Sequence, residues 1–153
     1  MDLKGVSAYL HEHIPLTAHL GAVVEFYDGQ TVRISAPLEP NLNHRNTAFG
    51  GSISALAILS GWTLLHLKLR EEGICNRLVI QKSSLDFLDP VAADFRAECS
   101  LPSLEVWEKF LRTLKRRGMA RISVESRIVS DVGTGGRHEG TYVAVARSEN
   151  EPY

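Results

Sequence analysis

Residues 49–69 read FGGSISALAILSGWTLLHLKL, and this stretch decides the fold. As a helix it is apolar on every side, and only small polar residues interrupt it before His66 and Lys68. A membrane span needs about 20 uninterrupted apolar residues, and the serines, Gly61 and His66 break this run. A helix that is apolar all round is instead enclosed by protein. The stretch therefore predicts a central helix about 30 Å long.

The segments after this helix show the period of two that is typical of strands with one buried face. Four strands are expected there, at 77–88, 91–101, 121–128 and 139–147. Between the second and third, Ser103 caps a predicted amphipathic helix that ends at the basic run Lys115–Arg117. The Gly133–Gly136 cluster is interpreted as a hairpin loop, because a strand follows it and a phosphate-binding helix does not.

The segments before the central helix predict a short helix, a hairpin and a loop. Apolar residues at helical spacing predict the short helix over residues 3–13. Strands at 20–27 and 31–36 flank Asp28-Gly29, a dipeptide typical of tight hairpins. Residues 37–48 contain two prolines and three asparagines without periodicity, which predicts a long loop. Long loops in compact domains tend to carry function.

Length and charge narrow the classes of protein. The 153 residues correspond to one domain, which we assign to residues 1–153. Seventeen Lys and Arg against 18 Asp and Glu leave no overall field to attract nucleic acid or an anionic membrane. No secretory signal is visible, and Cys75 and Cys99 form no disulfide framework, so we expect a cytoplasmic protein. His11 and His13 do not share a helix face, and we expect neither a metal nor a cofactor.

The order of the elements predicts how they pack. Six strands hide an apolar helix only if they curl around it, so we expect an α+β domain in which an antiparallel sheet of about six strands wraps residues 49–69. This is the layout of the hotdog fold. Residues 43–52, NHRNTAFGGS, resemble the segment N-H-x-x-T-A-F-G-G-S of hotdog thioesterase-like domains of the YiiD C-terminal type. The resemblance extends to residues 38–41 and 85–91 and so covers nearly the whole chain.

The resemblance implies hydrolysis of an acyl thioester carried by coenzyme A or acyl carrier protein, in a homodimer or a tetramer whose sites lie between subunits. Gly50 and Gly51 would present free backbone N–H groups at the positive end of the helix dipole, where Gly51 could polarise the thioester carbonyl. The alternative is that the two glycines only allow close packing at the helix start. Further substrate-binding residues are expected beside Gly50, namely Thr47, Phe49, Ser52 and Ser54.

The sequence identifies the group that would activate water less clearly than it identifies the Gly50–Gly51 donors. Hotdog thioesterases with an H-G-G version of the motif carry an Asp or Glu on the helix seven residues after the second Gly. Counting from Gly51 gives Ile58, and Phe49 stands where that version has its His, so both positions depart from the pattern. Asn43 and His44 are the candidates, since a loop amide can hold water and imidazole suits proton transfer near neutral pH. Alternatively, both residues tie the loop backbone together.

Residues 77–88 carry polar groups on both faces in mid-strand, which is unusual for a core strand. Counted by alternation, Lys82 and Asp86 share a face with Leu78, whereas Ser83 lies on the other face. A strand at a dimer interface beside a polar cleft would show this pattern, and in the hotdog family the equivalent strand pairs across the dimer. Asp86 is then a reserve catalytic carboxylate, or else an ordinary surface residue paired with Lys82.

The sequence is also compatible with two other functions. The missing helix acid favours a noncatalytic dimer that binds acyl-CoA or acyl carrier protein. A hotdog dehydratase ranks third, because its usual His and acid pattern is not matched. Arg112 and the run Lys115–Arg117 could meet the phosphates of coenzyme A or an acidic carrier protein, or could form a solvated helix end.

Overall fold

In a computed structural model of the protein, the structure is described for residues 1–151. The α-helices of this part of the chain are α1 (Leu3–His13), α2 (Leu16–Leu20), α3 (Gly50–Glu71) and α4 (Leu104–Arg117). The strands are β1 (Val23–Tyr27), β2 (Thr31–Ala36), β3 (Asn76–Phe87), β4 (Phe95–Ser100), β5 (Met119–Ser130) and β6 (Gly133–Ala146). A 3₁₀ turn spans Glu39–Asn41.

All six strands join in one antiparallel sheet of order β1-β2-β4-β5-β6-β3, which wraps α3. The helix is long and apolar enough to cross a membrane by length and composition alone. Here, however, eleven of its 22 residues are buried, and Leu56, Leu64 and Leu65 are fully enclosed by the sheet. The central helix and the curled six-stranded sheet confirm the predicted hotdog fold.

The helix and hairpin signals read from the sequence are also confirmed. Ser103 Oγ accepts a hydrogen bond from Val106 N at the start of α4, and Gly118 ends that helix with φ 75°. In the β1–β2 turn, Asp28 Oδ1 accepts from Gln30 N and Thr31 N. These are local signals, in which a side chain or a glycine satisfies the backbone next to it.

Two predicted strands are shorter than expected. Residues 20–27 include the end of α2, which Gly21 terminates with φ 69°, so β1 begins only at Val23. The strand predicted at 91–101 begins at Phe95. Val91 O accepts from Ala48 N (2.7 Å) and Asp94 Oδ1 accepts from Leu38 N (2.8 Å). The loop before α3 thus bonds the Val91 carbonyl oxygen and the Asp94 side chain, and this segment is held by the loop instead of by a neighbouring strand.

The interpretation of Gly133–Gly136 as a loop is wrong. These residues begin β6, and the chain reverses just before them, at Asp131 and Val132. The glycines are needed for packing. A Cβ on Gly135 would collide with Val91, and one on Gly136 would lie 3.1 Å from Leu85 Cδ1.

A β-bulge in β3 changes which side chains face the helix. Ile80 pairs with Tyr142 but Lys82 pairs with Thr141, so Gln81 is an extra residue between them. Beyond the bulge, Ser83, Leu85 and Phe87 therefore lie on the inner face with Leu78 and Ile80. We call the inner-face residues of this half of β3 the inner row, and they are Ile80, Ser83, Leu85 and Phe87.

The bulge moves Asp86 to the outer face, opposite exposed Arg137. The expectation that Asp86 shares a face with Leu78 assumed unbroken alternation, and the bulge corrects it. Among residues 1–151, no ion pair includes Asp86 or Lys82, so the alternative pairing of these two residues is not formed either.

The two edges of the sheet differ in how far other residues bond their backbone groups. At the β1 edge, α1 supplies side chains to the backbone: Ser7 Oγ accepts from Val24 N (2.9 Å) and His11 Nε2 donates to Ala22 O (2.7 Å). The other edge is the 12-residue β3, which pairs with β6 on one side and with no further strand within residues 1–151, and at which Trp62 Nε1 donates to Leu78 O (3.0 Å).

Candidate active site

The N-terminus of α3 carries two free backbone donors. Phe49 occupies the N-cap position and provides no side-chain hydrogen bond. Its carbonyl oxygen accepts from Ser52 N (3.0 Å) and Ile53 N (3.1 Å). Within residues 1–151, the N–H groups of Gly50 and Gly51 have no acceptor. An uncapped helix start of this kind attracts a carbonyl or carboxylate oxygen.

Two exposed phenylalanine rings cover these glycines. Phe49 is 56% exposed and Phe87 is 58% exposed. A Cβ on Gly50 would lie 3.2 Å from Phe87 Cε1, and a Cβ on Gly51 would collide with the Phe49 ring. The absence of side chains on the glycines therefore permits close packing and at the same time places the free N–H groups beneath an apolar surface.

The Asn43 amide holds the loop before α3 together. Its Oδ1 accepts from Arg45 N (2.8 Å) and Thr47 N (3.1 Å), and its Nδ2 donates to Thr47 Oγ1 (2.8 Å). Both ends of the amide are engaged, which favours the interpretation of Asn43 as a loop-positioning residue. The neighbouring His44 is exposed and makes no hydrogen bond within residues 1–151.

The other α3 residues that the sequence analysis named lie on the part of the helix surface that the sheet does not fully cover. Ser52, Ser54 and Ile58 are half-buried. The side chain of Ile58 is apolar, and its carbonyl oxygen accepts from the Tyr142 hydroxyl (2.8 Å). Since Asp86 lies on the other face of the sheet, neither position contributes a carboxylate to the helix N-terminus.

A Ser–His pair on the inner face of the sheet, with its serine exposed and its histidine buried, was not found from the sequence. His138 of β6 is 2% exposed, and its Nε2 lies 2.8 Å from the hydroxyl of Ser83, which is exposed. His138 Nδ1 is buried without a hydrogen-bond partner among the described residues. Desolvation lowers the pKa of His138, opposed by the charge of Glu139. The alternation of β6 could have placed His138 inside, but only the bulge brings Ser83 to the same face.

The basic residues of α4 lie away from these groups. The helix packs Trp107, Phe110 and Leu114 against β5 and leaves Arg112 and the run Lys115–Arg117 exposed. A cationic surface is therefore present, as the sequence predicted, and its contact with a partner stays a prediction.

A cleft at the other end of α3 was also not expected from the sequence. It has a volume of about 660 Å³ and lies between α1, the C-terminal half of α3 and the start of β3. Four rings stack along it: His13 on Tyr9 (centroids 4.0 Å apart), Tyr9 on His66 (5.2 Å) and His66 on Trp62 (4.6 Å). Burial, with the positive charge of Arg70, lowers the pKa of His66 to about 4, and its Nε2 has no partner within residues 1–151.

We expect His66 to make the protein less stable in acid. An unfolded chain binds a proton at His66 near pH 6.5, whereas the folded chain resists protonation until about pH 4. Stability is therefore lost as the pH falls from 6.5 to 4, by about 2 kcal/mol after allowance for solvent screening. His66→Phe keeps the ring stack and should flatten this part of the curve of unfolding free energy against pH. An exposed-site control, His44→Gln, should leave the curve unchanged, and an equal slope in the wild type and His66→Phe would contradict the assignment.

Comparison with known proteins places the chain in a family. The family described as "Putative thioesterase (yiiD_Cterm)" matches residues 3–146. A protein of unknown function from Chlorobaculum tepidum TLS is 32% identical, with 94% of each chain covered and a TM-score of 0.89.

Two further solved structures share the fold at lower identity. One is described as a "putative thioesterase" from Shewanella oneidensis, with 24% identity, coverage of 95% of this chain and 99% of that chain, and a TM-score of 0.84. The other, from Pseudomonas aeruginosa, is described as a "Probable Thioesterase" and has 23% identity, coverage of 94% and 96%, and a TM-score of 0.80. With the family match across nearly its whole length, the chain belongs to the YiiD C-terminal family of thioesterase-like hotdog proteins.

Proposed function

We propose that the protein hydrolyses acyl thioesters of coenzyme A or acyl carrier protein. One observation carries the proposal: two free N–H groups, on Gly50 and Gly51, lie at an uncapped helix start beneath exposed phenylalanine rings. The thioester carbonyl oxygen would accept from these donors, while Phe49 and Phe87 would contact the acyl chain or the thioester arm. Thr47, Ser52 and Ser54 lie near enough in the chain to complete the binding surface.

In the proposed reaction, water attacks the carbonyl carbon and the negative charge that develops on the carbonyl oxygen is stabilised by the Gly50 and Gly51 N–H groups. The tetrahedral intermediate collapses with cleavage of the C–S bond. The products are a carboxylic acid and a thiol. Because a free thiol has a pKa of about 8.5, sulfur leaves readily as a thiolate and takes up its proton later.

We propose further that the protein is a homodimer joined through the free edge of β3. Trp62 Nε1 donates to Leu78 O near the start of β3, and the rest of this long edge is open to pairing with a second copy. The exposed apolar residues Phe49, Phe87 and Leu88 cluster at the C-terminal end of that strand. An antiparallel interface centred there would cover these residues, and we place the two-fold axis near Leu85.

This dimer is tested by cross-linking. In a Cys75→Ser background, which removes the exposed native thiol, we expect Leu85→Cys to form a disulfide-linked dimer under mild oxidation, because residue 85 faces its own copy across the axis. Val132→Cys lies at the exposed β5–β6 turn and is the control that should stay uncrosslinked. Equal cross-linking of the two variants, measured by non-reducing electrophoresis, would place the interface elsewhere.

The hydrolase activity is tested with a chain-length series of acyl-CoA substrates and the same acyl groups on acyl carrier protein. We expect release of free thiol above buffer for at least one chain length. The Cys75→Ser variant should be used with a thiol reagent, since Cys75 is exposed. The apolar Ile58 favours a second candidate, a noncatalytic dimer that binds these ligands. It predicts thermal stabilisation by an unhydrolysable acyl-CoA analogue without any thiol release.

A further inference from the structure

We infer that Ser83 and His138 of one protomer form the proton-transfer pair for a thioester bound at the Gly50–Gly51 donors of its partner. This inference rests on the proposed hydrolase function. It supplies a held proton-transfer group, because the Asn43 amide is engaged in its loop, Ile58 is apolar, Asp86 lies on the outer face, and no hydrogen bond within residues 1–151 fixes the exposed His44 ring.

The geometry of the pair is that of a hydroxyl and its proton acceptor. Ser83 Oγ and His138 Nε2 are 2.8 Å apart, within the range of nucleophile and base pairs in enzymes. The ring is 98% enclosed by the sheet and the helix, since it is 2% exposed, whereas Ser83 is exposed. A proton accepted by His138 Nε2 from the site must therefore pass through the Ser83 hydroxyl.

The pair also lies beside the middle of the central helix. Ser83 is opposite Gly140 in the β3–β6 pairing. A Cβ on Gly140 would lie 3.0 Å from His138 Cε1 and 2.7 Å from Tyr142 Cε2, so the two rings flank this glycine. Tyr142 in turn donates to the carbonyl oxygen of Ile58 (2.8 Å). Tyr142 thus joins the strand that carries His138 to the middle of α3.

The Gly50–Gly51 donors and the Ser83–His138 pair come from different protomers, because within one chain they are too far apart. Within one chain, Ser83 precedes Phe87 by four residues, about 13 Å along the strand, which is too far for Ser83 and the Gly50 N–H to reach one carbonyl group. A two-fold axis near Leu85 places the partner's Phe87 opposite Ser83. Because Phe87 packs on Gly50, the partner's helix start then lies next to the Ser83 hydroxyl.

The step balances as a single hydrolysis. Water bound to Ser83 Oγ attacks the carbonyl carbon and gives a proton to Ser83 Oγ, while the Ser83 proton passes to His138 Nε2. The C–S bond breaks, and the proton on His138 returns through Ser83 to the departing thiolate. No oxidant, metal or further reactant is needed.

The surroundings of His138 keep its imidazole neutral and ready to accept a proton at neutral pH. The β5 residue opposite it is Ser126, whose hydroxyl bonds Ser60 of α3, and the β3 residue opposite it is Leu85. The neighbouring charge is Glu139, and the net effect of burial is a lowered pKa. Activity should therefore fall in acid, at a pH below 6.5, as His138 becomes protonated.

Adjacent serines give a matched test of the first part of the inference. Ser83→Ala should lower kcat by about 100-fold or more with little change in KM, whereas Ser84→Ala, on the outer face, should have wild-type activity. His138→Gln keeps a hydrogen bond to Ser83 but accepts no proton, so its residual rate should lose the acid limb of the pH profile. Equal activity of Ser83→Ala and Ser84→Ala, or a large loss in His44→Ala alone, overturns the inference.

Mixed dimers test the second part. Differently tagged Ser83→Ala and Gly50→Pro chains are co-expressed and the heterodimer is purified. One of its sites then carries both defects and the other carries neither, so we expect about half of the wild-type rate from two chains that are each inactive as homodimers. A heterodimer as inactive as its parents overturns the shared site. Absence of thiol release in the wild type itself would instead overturn the proposed function, and the inference with it.

Discussion

Replacement of Gly50 by proline is expected to lower kcat for thioester hydrolysis by about 100- to 1,000-fold, the usual loss when one oxyanion donor is removed. Proline deletes one of the two free N–H groups of the helix start, which the proposed mechanism uses to bind the thioester carbonyl oxygen. The helix itself should be preserved, because Gly50 is its first residue, where proline is favoured, and Phe49 before it is extended (φ −63°, ψ 133°).

The matched control is Gly50→Ala. Both variants add a Cβ beside the Phe87 ring, at about the 3.2 Å found for the ideal position, and only proline removes the donor. We expect Gly50→Ala to keep most of its activity and both variants to unfold at similar temperatures. Equal losses in the two would show that crowding of Phe87, rather than loss of the N–H group, is responsible.

Gly61→Val is expected to lower the free energy of unfolding by about 3 kcal/mol. Gly61 lies in the middle of α3, where a glycine normally weakens a helix. It is required because the fully buried Tyr142 ring lies against it, and any Cβ at this position would collide with the Tyr142 hydroxyl. The expected loss is measured by denaturant unfolding.

Two further variants separate this packing effect from helix propensity. Thr63→Val also puts valine into α3, but it replaces a buried residue of equal shape whose Oγ1 has no partner among residues 1–151, so we expect little loss or a small gain. Tyr142→Leu removes the ring and hydroxyl that lie against Gly61. In this background, Gly61→Val should lower the free energy of unfolding by at least about 1 kcal/mol less than it does beside Tyr142. Strictly additive effects of the two substitutions would contradict the contact.

The parts of the fold that were predicted from the sequence are those with local causes. The apolar run at residues 49–69 predicts a buried helix because no face of it can be left in water. Ser103 and Gly118 mark the ends of α4 because each satisfies backbone groups within one turn. The Asp28-Gly29 turn follows in the same way from one side chain and one positive φ.

The sequence-based predictions were wrong where contacts with distant segments determine the backbone conformation. Gly133–Gly136 has the composition of a loop, yet its glycines make room for Val91 and Leu85 within the sheet. The bulge at Gln81 has no local signature, and one inserted residue reverses the facing of every side chain after it. For this reason the sequence placed Asp86 on the same face as Leu78, and Ser83 was not recognised as a neighbour of His138.

The residues of the candidate site also differ in whether local sequence or tertiary structure identifies them. Gly50 and Gly51 could be identified from the chain, because a helix start without a capping side chain is a local feature. The engagement of Asn43 by Thr47 and Arg45 depends on the loop conformation, which its irregular sequence does not specify. The ring stack at His66 joins α1 to α3 and required the tertiary structure.

The most direct test of the account is thiol release from acyl-CoA by the Cys75→Ser protein, which lacks the exposed native thiol, followed beside thermal unfolding with an unhydrolysable acyl-CoA analogue. We predict stabilisation by the analogue together with turnover that exceeds the buffer rate for at least one chain length. Stabilisation by the analogue with no thiol release from any substrate in the series would contradict the hydrolase and identify the protein as a noncatalytic acyl-thioester binder.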